Sequence, residues 1–460
     1  SGPEPPAGPC CPPSAASSMV TSAIRRAAAP LLLLLLLLAA CAGGEPTPAE
    51  RTVVGDTVEL RLGSLEAASA RLEPVWSVEL PAAPDTSGPR AGARAWDVDV
   101  HDDGTVLVAL GDGRILRVRA DGDDVEELRG PREPGADRIT TLAALPDGGV
   151  AVRDPDHVLR VYGPDGTPRG RHPLRRALPA TGYDAVLADR SGTVWVSLPP
   201  DSTELADSVA YPRPVYRSLP GEGSRPDTIR VGREFLAACP HRSHAHFQFG
   251  WYEDLRVRYF PKVKWALAPD GTLVAGCPAD YRFDVIPDSG PRIRVTAEAA
   301  RARVSDEERS AFAVTWTVQL TEAGRTWEGE DWSWLGPAIP TEKPAYHRLL
   351  PDLAGERVWV WRAGPSDRVD APGGWPLVGL PAHVFLEPRS GAFDVFGIDG
   401  SFQGRVPLPS TLPYTGLPDT PDPVLRGDTV WAVTADSLGT QGVARYLVRW
   451  PGSGRGADES

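Results

Sequence analysis

The chain of 460 residues contains no asparagine, one methionine and three lysines. Without asparagine it has no acceptor for N-glycosylation, and any site that requires an asparagine amide is excluded. The motifs G-x-S-x-G, H-E-x-x-H and C-x-x-C are missing, as are the P-loop and the dinucleotide-binding glycine pattern. The sequence therefore predicts no catalytic residue and no cofactor, and it favours a protein that is not an enzyme.

Positive charge is also scarce. The formal net charge is −13, and the basic residues form no run along the chain. A nucleic-acid-binding protein needs a basic surface that replaces the counterions of the phosphates. We therefore expect no nucleic-acid partner.

A secretion signal stands near the start of the chain. Eight leucines at 31–38 follow Arg25 and Arg26 and lead to Cys41. The apolar stretch 27–40 is shorter than the roughly 20 residues that span a bilayer, so we expect a cleaved signal peptide.

The segment LAAC at 38–41 resembles the lipobox of bacterial lipoproteins. The resemblance implies that the Cys41 thiol is diacylglycerated, that the peptide is cut before it, and that the new amine is acylated. Ala42 is not the aspartate of an inner-membrane retention signal, which favours an extracytoplasmic protein anchored in the outer membrane, facing the periplasm or the cell surface. An ordinary signal peptide with a chance cysteine is the alternative.

These features suggest a division of the chain. The expected segments are in-frame translation upstream of the true start (1–18), the signal peptide (19–41), a linker (42–72), a folded body (73–452) and a disordered tail (453–460).

The body contains a repeat. In residues 96–129, short runs of valine, leucine and isoleucine alternate with three Asp-Gly pairs. Asp-Gly supplies the positive φ angles of a two-residue hairpin turn, so we predict four antiparallel strands. The turn glycine recurs in later copies, at positions 104, 148, 192, 271, 355 and 427. The first two steps are 44 residues, which is typical of one propeller blade, and the longer steps indicate insertions.

The sequence therefore predicts an all-β fold, a six-bladed β-propeller with four-stranded antiparallel blades. The last copy lacks a fourth strand, which the N-terminal segment 73–80 can supply and so close the ring. Insertions are expected at about 200–262, 297–345 and 361–383. The second contains one predicted helix, with Ser305 and Glu308 as a capping box.

Three stretches carry a family resemblance: VSDEERSAF, PAYHRLLPDLAGERVWVWR and LPAHVFLEPRSGAFDVFGIDGSFQGRVPLP. In them the chain resembles a group of uncharacterised bacterial six-bladed β-propeller lipoproteins. The resemblance covers most of 96–450 and implies the fold and the order of elements. It implies no activity.

Several residues could bind metal. His241, His244 and His246 could meet at zinc with Cys239 as a fourth ligand, or they could lie in a polar surface loop. In an oxidising compartment Cys239 would instead form a disulfide with Cys277, pinning the first insertion to the ring.

An acidic series from Asp97 to Gly104 has the spacing of a calcium loop. Its closing position is Leu110, where a glutamate is required, so an inner strand ending in a turn is favoured.

The second insertion contains a cluster of aromatic and acidic residues. Its members are Trp327, Glu328, Asp331, Trp332 and Trp334. These side chains could hold a sugar or a cationic ligand, or the rings could pack the predicted helix onto the propeller.

Two function classes follow. The first is a lipid-anchored binding or scaffold module that recognises a protein, peptide or glycan through its insertions, acts as a monomer and touches the membrane only through its anchor. The second is a metal-dependent hydrolase that resembles propeller lactonases, with a divalent ion in the central channel. Lactonase-type sites combine Glu, Asp and Asn ligands, and the absence of asparagine counts against them. A part in an envelope assembly machine is a third possibility.

Overall fold

The structure is a computed structural model, and it describes a defined part of the chain. The described residues are 50–65, 69–81, 95–128, 139–154, 158–174, 186–198, 215–218, 228–230, 239, 244–248, 252–256, 259, 261, 263–312, 339–370, 383–386, 391–409, 421–436 and 440–451. Cys41 and the tail 453–460 lie outside this part. Among the described residues, no helix is long and apolar enough to cross a membrane.

The fold is all-β. Within the described residues the strands form six antiparallel sheets of four strands, one of them extended by a further hairpin, together with two separate hairpins. Helical residues there are confined to α1, at 306–312. We number the four-stranded sheets 1 to 6 in the chain order of the strands from residue 95 onward, leaving aside the three strands at 50–79.

The strand bounds follow the repeat. Sheet 1 contains β4 (Ala95–Val100), β5 (Val106–Leu110), β6 (Ile115–Val118) and β7 (Val125–Glu127); sheet 2 contains β8 (Thr141–Ala144), β9 (Val150–Arg153), β10 (Val158–Tyr162) and β11 (Pro168–Pro173); sheet 3 contains β12 (Val186–Ala188), β13 (Val194–Leu198), β14 (Val215–Ser218) and β15 (Thr228–Arg230).

The later sheets recruit strands from the start of the chain. Sheet 4 contains β18 (Lys264–Leu267), β19 (Leu273–Gly276), β20 (Arg282–Ile286) and β21 (Arg292–Glu298), extended by β2 (Thr57–Ser64) and β1 (Glu50–Val54); sheet 5 contains β22 (Tyr346–Pro351), β23 (Arg357–Arg362), β26 (Ala392–Gly397) and β27 (Phe402–Pro407); sheet 6 contains β28 (Val424–Arg426), β29 (Thr429–Ala435), β30 (Gln441–Arg449) and β3 (Arg71–Glu79). The separate hairpins are β16 (His244–Gln248) with β17 (Tyr252–Arg256) and β24 (Asp367–Asp370) with β25 (His383–Leu386).

The hydrophobic core is divided into clusters between sheets. Each of the six clusters among the described residues joins two sheets: 1 and 2, 2 and 3, 3 and 4, 4 and 5, 5 and 6, and 6 and 1. Strand β5 shows why the sequence runs apolar there. Leu107 and Ala109 pack toward sheet 2, whereas Val106, Val108 and Leu110 pack toward sheet 6. Because successive side chains point to opposite faces, a strand buried on both faces needs an unbroken apolar run.

The turn glycines behave as the sequence predicts, but the turn type does not. All six have positive φ, between 53° and 87°. In the first turn, His101 N–H bonds to Thr105 O and Gly104 N–H bonds to His101 O, which leaves three residues in the loop. The prediction of a two-residue turn is wrong here, because such a type I′ turn needs positive φ at the aspartate too. Among the described non-glycine residues, only Tyr259 has positive φ.

Two segment boundaries also differ from the expectation. Residues 50–64, within the expected linker, form the β1–β2 hairpin, and β2 pairs in parallel with β21 at the outer edge of sheet 4. The range 200–262 contains β14 and β15, which are strands of sheet 3. The first insertion therefore begins after residue 230. The N-terminal segment pairs with β30 as β3 and is the fourth strand of sheet 6.

Candidate functional site

Three long connections lie at one end of the sheets, and the six repeated glycine turns lie at the other. In an antiparallel four-stranded sheet, the connection from the first strand to the second and that from the third to the fourth share one end. We call this the tight-turn end, and it contains the six glycine turns. The other end, here called the insertion end, contains the connections at 231–263, 299–345 and 363–391. These are insertions 1, 2 and 3.

Contacts between sheets show that their tight turns lie side by side. Arg426 of sheet 6 donates to His101 O of sheet 1 at 3.0 Å, and the His101 ring nitrogen Nδ1 lies 3.1 Å from Leu145 O of sheet 2. Between sheets 5 and 6, Gly427 N–H donates to the Asp352 carboxylate at 3.2 Å. Neighbouring sheets therefore share one orientation, with their insertions at the opposite end.

The three insertions meet in one buried polar cluster. Insertion 1 provides Tyr259, insertion 2 provides Glu308 from α1 and Lys343, and insertion 3 provides Gly364 and Ser366. We call these five residues the insertion junction. Tyr259 and Ser366 are 107 positions apart in the chain. The cluster is therefore a tertiary feature that no local motif reveals.

Lys343 is the centre of the junction. Its side chain is fully buried, and Nζ donates to Gly364 O at 2.8 Å and to Ser366 Oγ at 2.6 Å. Glu308 Oε1 lies 3.6 Å from Nζ, and the centroid of the Tyr259 ring lies 5.3 Å away. A buried ammonium group is tolerated only with such compensation.

Glu308 is the matching anion. The residue is 3 % exposed, and its Oε1 accepts hydrogen bonds from the hydroxyls of Tyr259 and Ser366. Ser305 Oγ accepts the Glu308 N–H at 3.1 Å, as expected of a helix N-cap. The other half of the predicted capping box, in which the Glu308 carboxylate would accept the Ser305 N–H, is wrong. That carboxylate points to Lys343 and to the hydroxyls of Tyr259 and Ser366 instead.

The backbone of insertion 2 fixes the lysine. Lys343 N–H bonds to Ala302 O at 2.8 Å, and Val304 N–H bonds to Thr341 O at 2.9 Å. The segments before and after α1 are thus held together where they enter the junction. Tyr259, on the other side, has a φ of 64°, a strained value for an aromatic residue.

A cavity of about 210 Å³ adjoins the junction. Its lining residues are Tyr259, Pro261, Pro278, Arg301, Pro340, Thr341, Glu342, Lys343 and Pro344. Arg301 and Glu342 form a half-exposed ion pair at 2.6 Å. The walls contain four proline rings and one aromatic ring, together with two cations, Arg301 and Lys343, and one anion, Glu342. Such a site can hold a small group with both apolar and polar parts.

A disulfide fastens insertion 1 to sheet 4. Cys239 and Cys277 are bonded, with their Cα atoms 5.5 Å apart, and both are buried. This is the pairing considered from the sequence, and the bond leaves no Cys239 thiolate for zinc. Pro278 follows directly, lines the cavity and accepts the Ala345 N–H at 2.8 Å. The disulfide therefore holds one wall of the cavity.

The acidic residues of β4 join sheets rather than forming a calcium loop. The Asp97 carboxylate accepts the Thr141 hydroxyl at 2.7 Å and the Leu142 N–H at 2.8 Å, and Asp99 accepts the Ala144 N–H at 2.8 Å. Burial raises the pKa of Asp97 to about 7 and that of Asp99 to about 6. Within the described residues, no group of three or more His, Cys, Asp or Glu side chains is placed to hold a metal ion.

The remaining candidates fall partly outside the described residues. His241 lies outside them, as do Trp327, Glu328, Asp331, Trp332 and Trp334. His244 and His246 lie on β16, opposite Arg256 and Asp254 of β17. They therefore lie in a strand, whereas the sequence suggested a polar surface loop as the alternative to a zinc site. The three histidines therefore stay an untested metal hypothesis.

Sequence reasoning missed the junction. Its one signal was Lys343, one of three lysines in a chain whose basic residues are otherwise arginines. The ammonium group of lysine is a compact point charge with three donors, unlike the planar guanidinium of arginine. Glu308 was noticed only as a cap, and Ser366 and Tyr259 stand in no recognisable pattern.

The observed fold defines a class, an all-β protein of four-stranded antiparallel sheets. No protein-family model matches the chain, and no curated protein matches it in sequence.

Solved structures match it distantly. The virginiamycin B lyase of Staphylococcus aureus matches with a TM-score of 0.38 and 10 % identity, over 81 % of this chain and 99 % of that one. YCF48 from Cyanidioschyzon merolae gives 0.34 and 10 %, and BamB from Moraxella catarrhalis gives 0.32 and 12 %, each over 82 % of this chain and 99 % of its own. These similarities assign no activity to the chain.

Proposed function

We propose that the body of the protein is a closed six-bladed β-propeller that serves as a binding module. Sheets 1 to 6 are its blades. Support comes from the six core clusters, of which five join successive sheets and the sixth joins sheet 6 back to sheet 1. Strand β3 completes sheet 6 from the start of the chain, which ties the N-terminal strand to the last repeat.

The module is anchored outside the cytoplasm through acylated Cys41, in the outer membrane. This part of the proposal rests on the leucine run and the LAAC segment. The disulfide between Cys239 and Cys277 suits an oxidising compartment. We expect Cys41→Ser to abolish incorporation of labelled palmitate and to release the protein from membranes. Palmitate labelling that persists in this variant would exclude Cys41 as the acceptor.

The insertion end is the binding surface, and its partner is a protein, peptide or glycan. The observation that carries this proposal is the convergence of three insertions on one junction beside a cavity. Loops held on a rigid scaffold are where binding residues concentrate. The sequence of insertion 2 also includes the aromatic cluster Trp327–Trp334, and aromatic residues are enriched at binding interfaces.

Photo-crosslinking compares the two ends directly. A photoreactive amino acid is placed at Arg301, on the cavity wall, or at Asp121, in a tight turn of sheet 1; their side chains are 38 % and 52 % exposed. Both variants are expressed as full chains and irradiated on native membranes. We expect a discrete adduct from position 301 and none from position 121. Adducts from position 121 alone, or equally from both positions, would contradict the proposal.

A further inference from the structure

Ser366 stands between a carboxylate and an ammonium group. Its hydroxyl donates to Glu308 Oε1, and its Oγ accepts from Lys343 Nζ at 2.6 Å. The proton is thus directed at a base, while the oxygen faces a positive charge. A serine hydroxyl becomes an effective nucleophile when a base lies within hydrogen-bonding distance and a neighbouring group holds that base in place. The Tyr259 hydroxyl provides that second contact to Glu308.

Other serines in the chain show what a structural serine looks like. Ser191 and Ser401 each lie in a tight turn, and their hydroxyls donate to Asp189 and Asp399 at 2.6 Å. Each of those aspartates also accepts backbone N–H groups of its own turn, so the pair completes the turn. Among the hydrogen bonds of the described residues, neither serine accepts one from a lysine. Ser366 differs because it lies in no such turn and contacts both charges.

The site is accessible from one side and sheltered on the other. Ser366 is partly exposed, whereas Lys343 and Glu308 are buried. Tyr259 and Lys343 belong both to the junction and to the wall of the 210 Å³ cavity, so the cavity adjoins the lysine that contacts the serine. Tyr259, which borders this cavity, has the strained backbone with positive φ described above. Strain of this kind is concentrated at functional sites.

We propose that Ser366 is the nucleophile of an acyl-transfer site that cleaves small carboxylic esters, with Glu308 as general base and Lys343 as the charge that stabilises the oxyanion. The cavity would hold the acyl group. This activity goes beyond partner binding and does not depend on it, because the junction residues and the cavity supply every group that the reaction needs.

The chemistry balances with water as the sole co-reactant. Ser366 Oγ attacks the ester carbonyl carbon while its proton moves to Glu308. The bond from that carbon to the alkoxy oxygen breaks, and the leaving alkoxide takes the proton from Glu308 and departs as the alcohol. Water then gives a proton to Glu308 and attacks the acyl-enzyme. The bond to Oγ breaks, the proton returns to Ser366, and the carboxylic acid leaves.

A fluorophosphonate probe tests the nucleophile without a known substrate. Attack by Ser366 forms an O–P bond and releases fluoride, and the adduct is located by mass spectrometry on the intact, full-length protein in detergent. We expect one adduct per chain, on Ser366, formed at least about a hundred-fold faster than any adduct on Ser191 or Ser401. Heat-unfolded protein should give none. Ser366→Ala should remove the adduct and lower the melting temperature, because the buried Lys343 and Glu308 each lose a hydrogen-bond partner.

Two results would overturn the proposal. One is native protein that remains unlabelled at probe concentrations that label a standard serine esterase. The other is label on Ser191 or Ser401 at a rate equal to that on Ser366. Because the decisive measurement uses the unmodified chain, failure of a variant to fold does not affect it. Labelled Ser366 with no crosslinked partner would support this site and count against the binding function. A crosslinked partner with no label on Ser366 would support the binding function and overturn this site.

Discussion

The two ends of the sheets are built differently. At the tight-turn end, short loops with a glycine of positive φ repeat from sheet to sheet, and each is stabilised within its own few residues. At the insertion end, three segments from distant parts of the chain are held by one buried charge cluster and one disulfide. The first end combines bonds within each turn with contacts between neighbouring turns, whereas the second is held together mainly by tertiary contacts between the insertions. Substitutions should therefore have local effects at one end and shared effects at the other.

The largest effect is expected from Lys343→Met. Removal of the ammonium leaves the buried Glu308 carboxylate without its cation, which costs about 3–5 kcal/mol. Urea unfolding of the full chain measures the loss. Arg368→Met is the matched control, because Arg368 also joins insertion 3 to α1, through Glu307 at 2.8 Å, but both side chains are about half exposed. We expect a change below about 1 kcal/mol there. Equal losses in the two variants would contradict the role of the junction.

The disulfide comes next. It closes a loop between residues 38 positions apart, and the variant with Cys239→Ser and Cys277→Ser should lose about 2–4 kcal/mol. The loss should appear first as faster proteolysis within insertion 1, because the tight turns do not depend on this bond. Limited proteolysis followed by mass spectrometry locates the cuts. Early cuts spread evenly over both ends would argue against a local role.

A glycine substitution sharpens the comparison from the other end. Gly271 has a φ of 87° and open space where a Cβ would lie, so Gly271→Ala isolates the conformational strain, about 1–2 kcal/mol. At the insertion end, Gly364 also has open space but no positive φ. Gly364→Ala should leave the free energy of unfolding unchanged or slightly raise it. Urea unfolding of the two variants measures both changes. A larger loss of unfolding free energy in Gly364→Ala than in Gly271→Ala would contradict this comparison of the two ends.

The smallest effect concerns pH. Because burial raises the pKa of Asp97 to about 7 in the folded state, that state binds a proton more tightly than the unfolded chain, whose aspartate titrates near 4. The free energy of unfolding contributed by Asp97 therefore falls as pH rises from about 4 to about 7.

Unfolding midpoints at pH 5 and pH 8 measure this dependence. Asp97→Asn should reduce the difference between the two by about 1 kcal/mol or more. An unchanged pH dependence in Asp97→Asn would show that another group titrates.

The tight-turn end could be predicted almost completely from the sequence. Glycine at positive φ, apolar runs such as VLVAL and the 44-residue spacing are local signals, and they located the repeated sheets and the pairing of the N-terminal strand. The turn type was missed because Asp-Gly fits both two-residue and three-residue loops, and the strands decide between them. The β1–β2 hairpin was missed although Val58 and Leu60 alternate with polar residues in β2, because the segment lies outside the repeat and every residue of its partner strand β1 is exposed.

The insertion end could not be predicted in this way. Its contacts join Tyr259, Glu308, Lys343 and Ser366, and nothing in a single sequence reports that these positions meet. Only the pair Cys239 and Cys277 could be proposed, because two cysteines in an oxidising compartment have few other uses. Local propensity describes turns and strands, whereas a buried ion pair depends on where the whole chain places its loops.

Hydrogen–deuterium exchange of the Lys343→Met variant tests most directly whether the three insertions form one unit. If the junction holds them together, exchange should accelerate in β17, in α1 and in β24 at once, while amides of the tight turns, such as Gly104 and Gly148, keep their protection. Acceleration confined to insertion 2, with β17 and β24 exchanging as in the parent protein, would contradict the account.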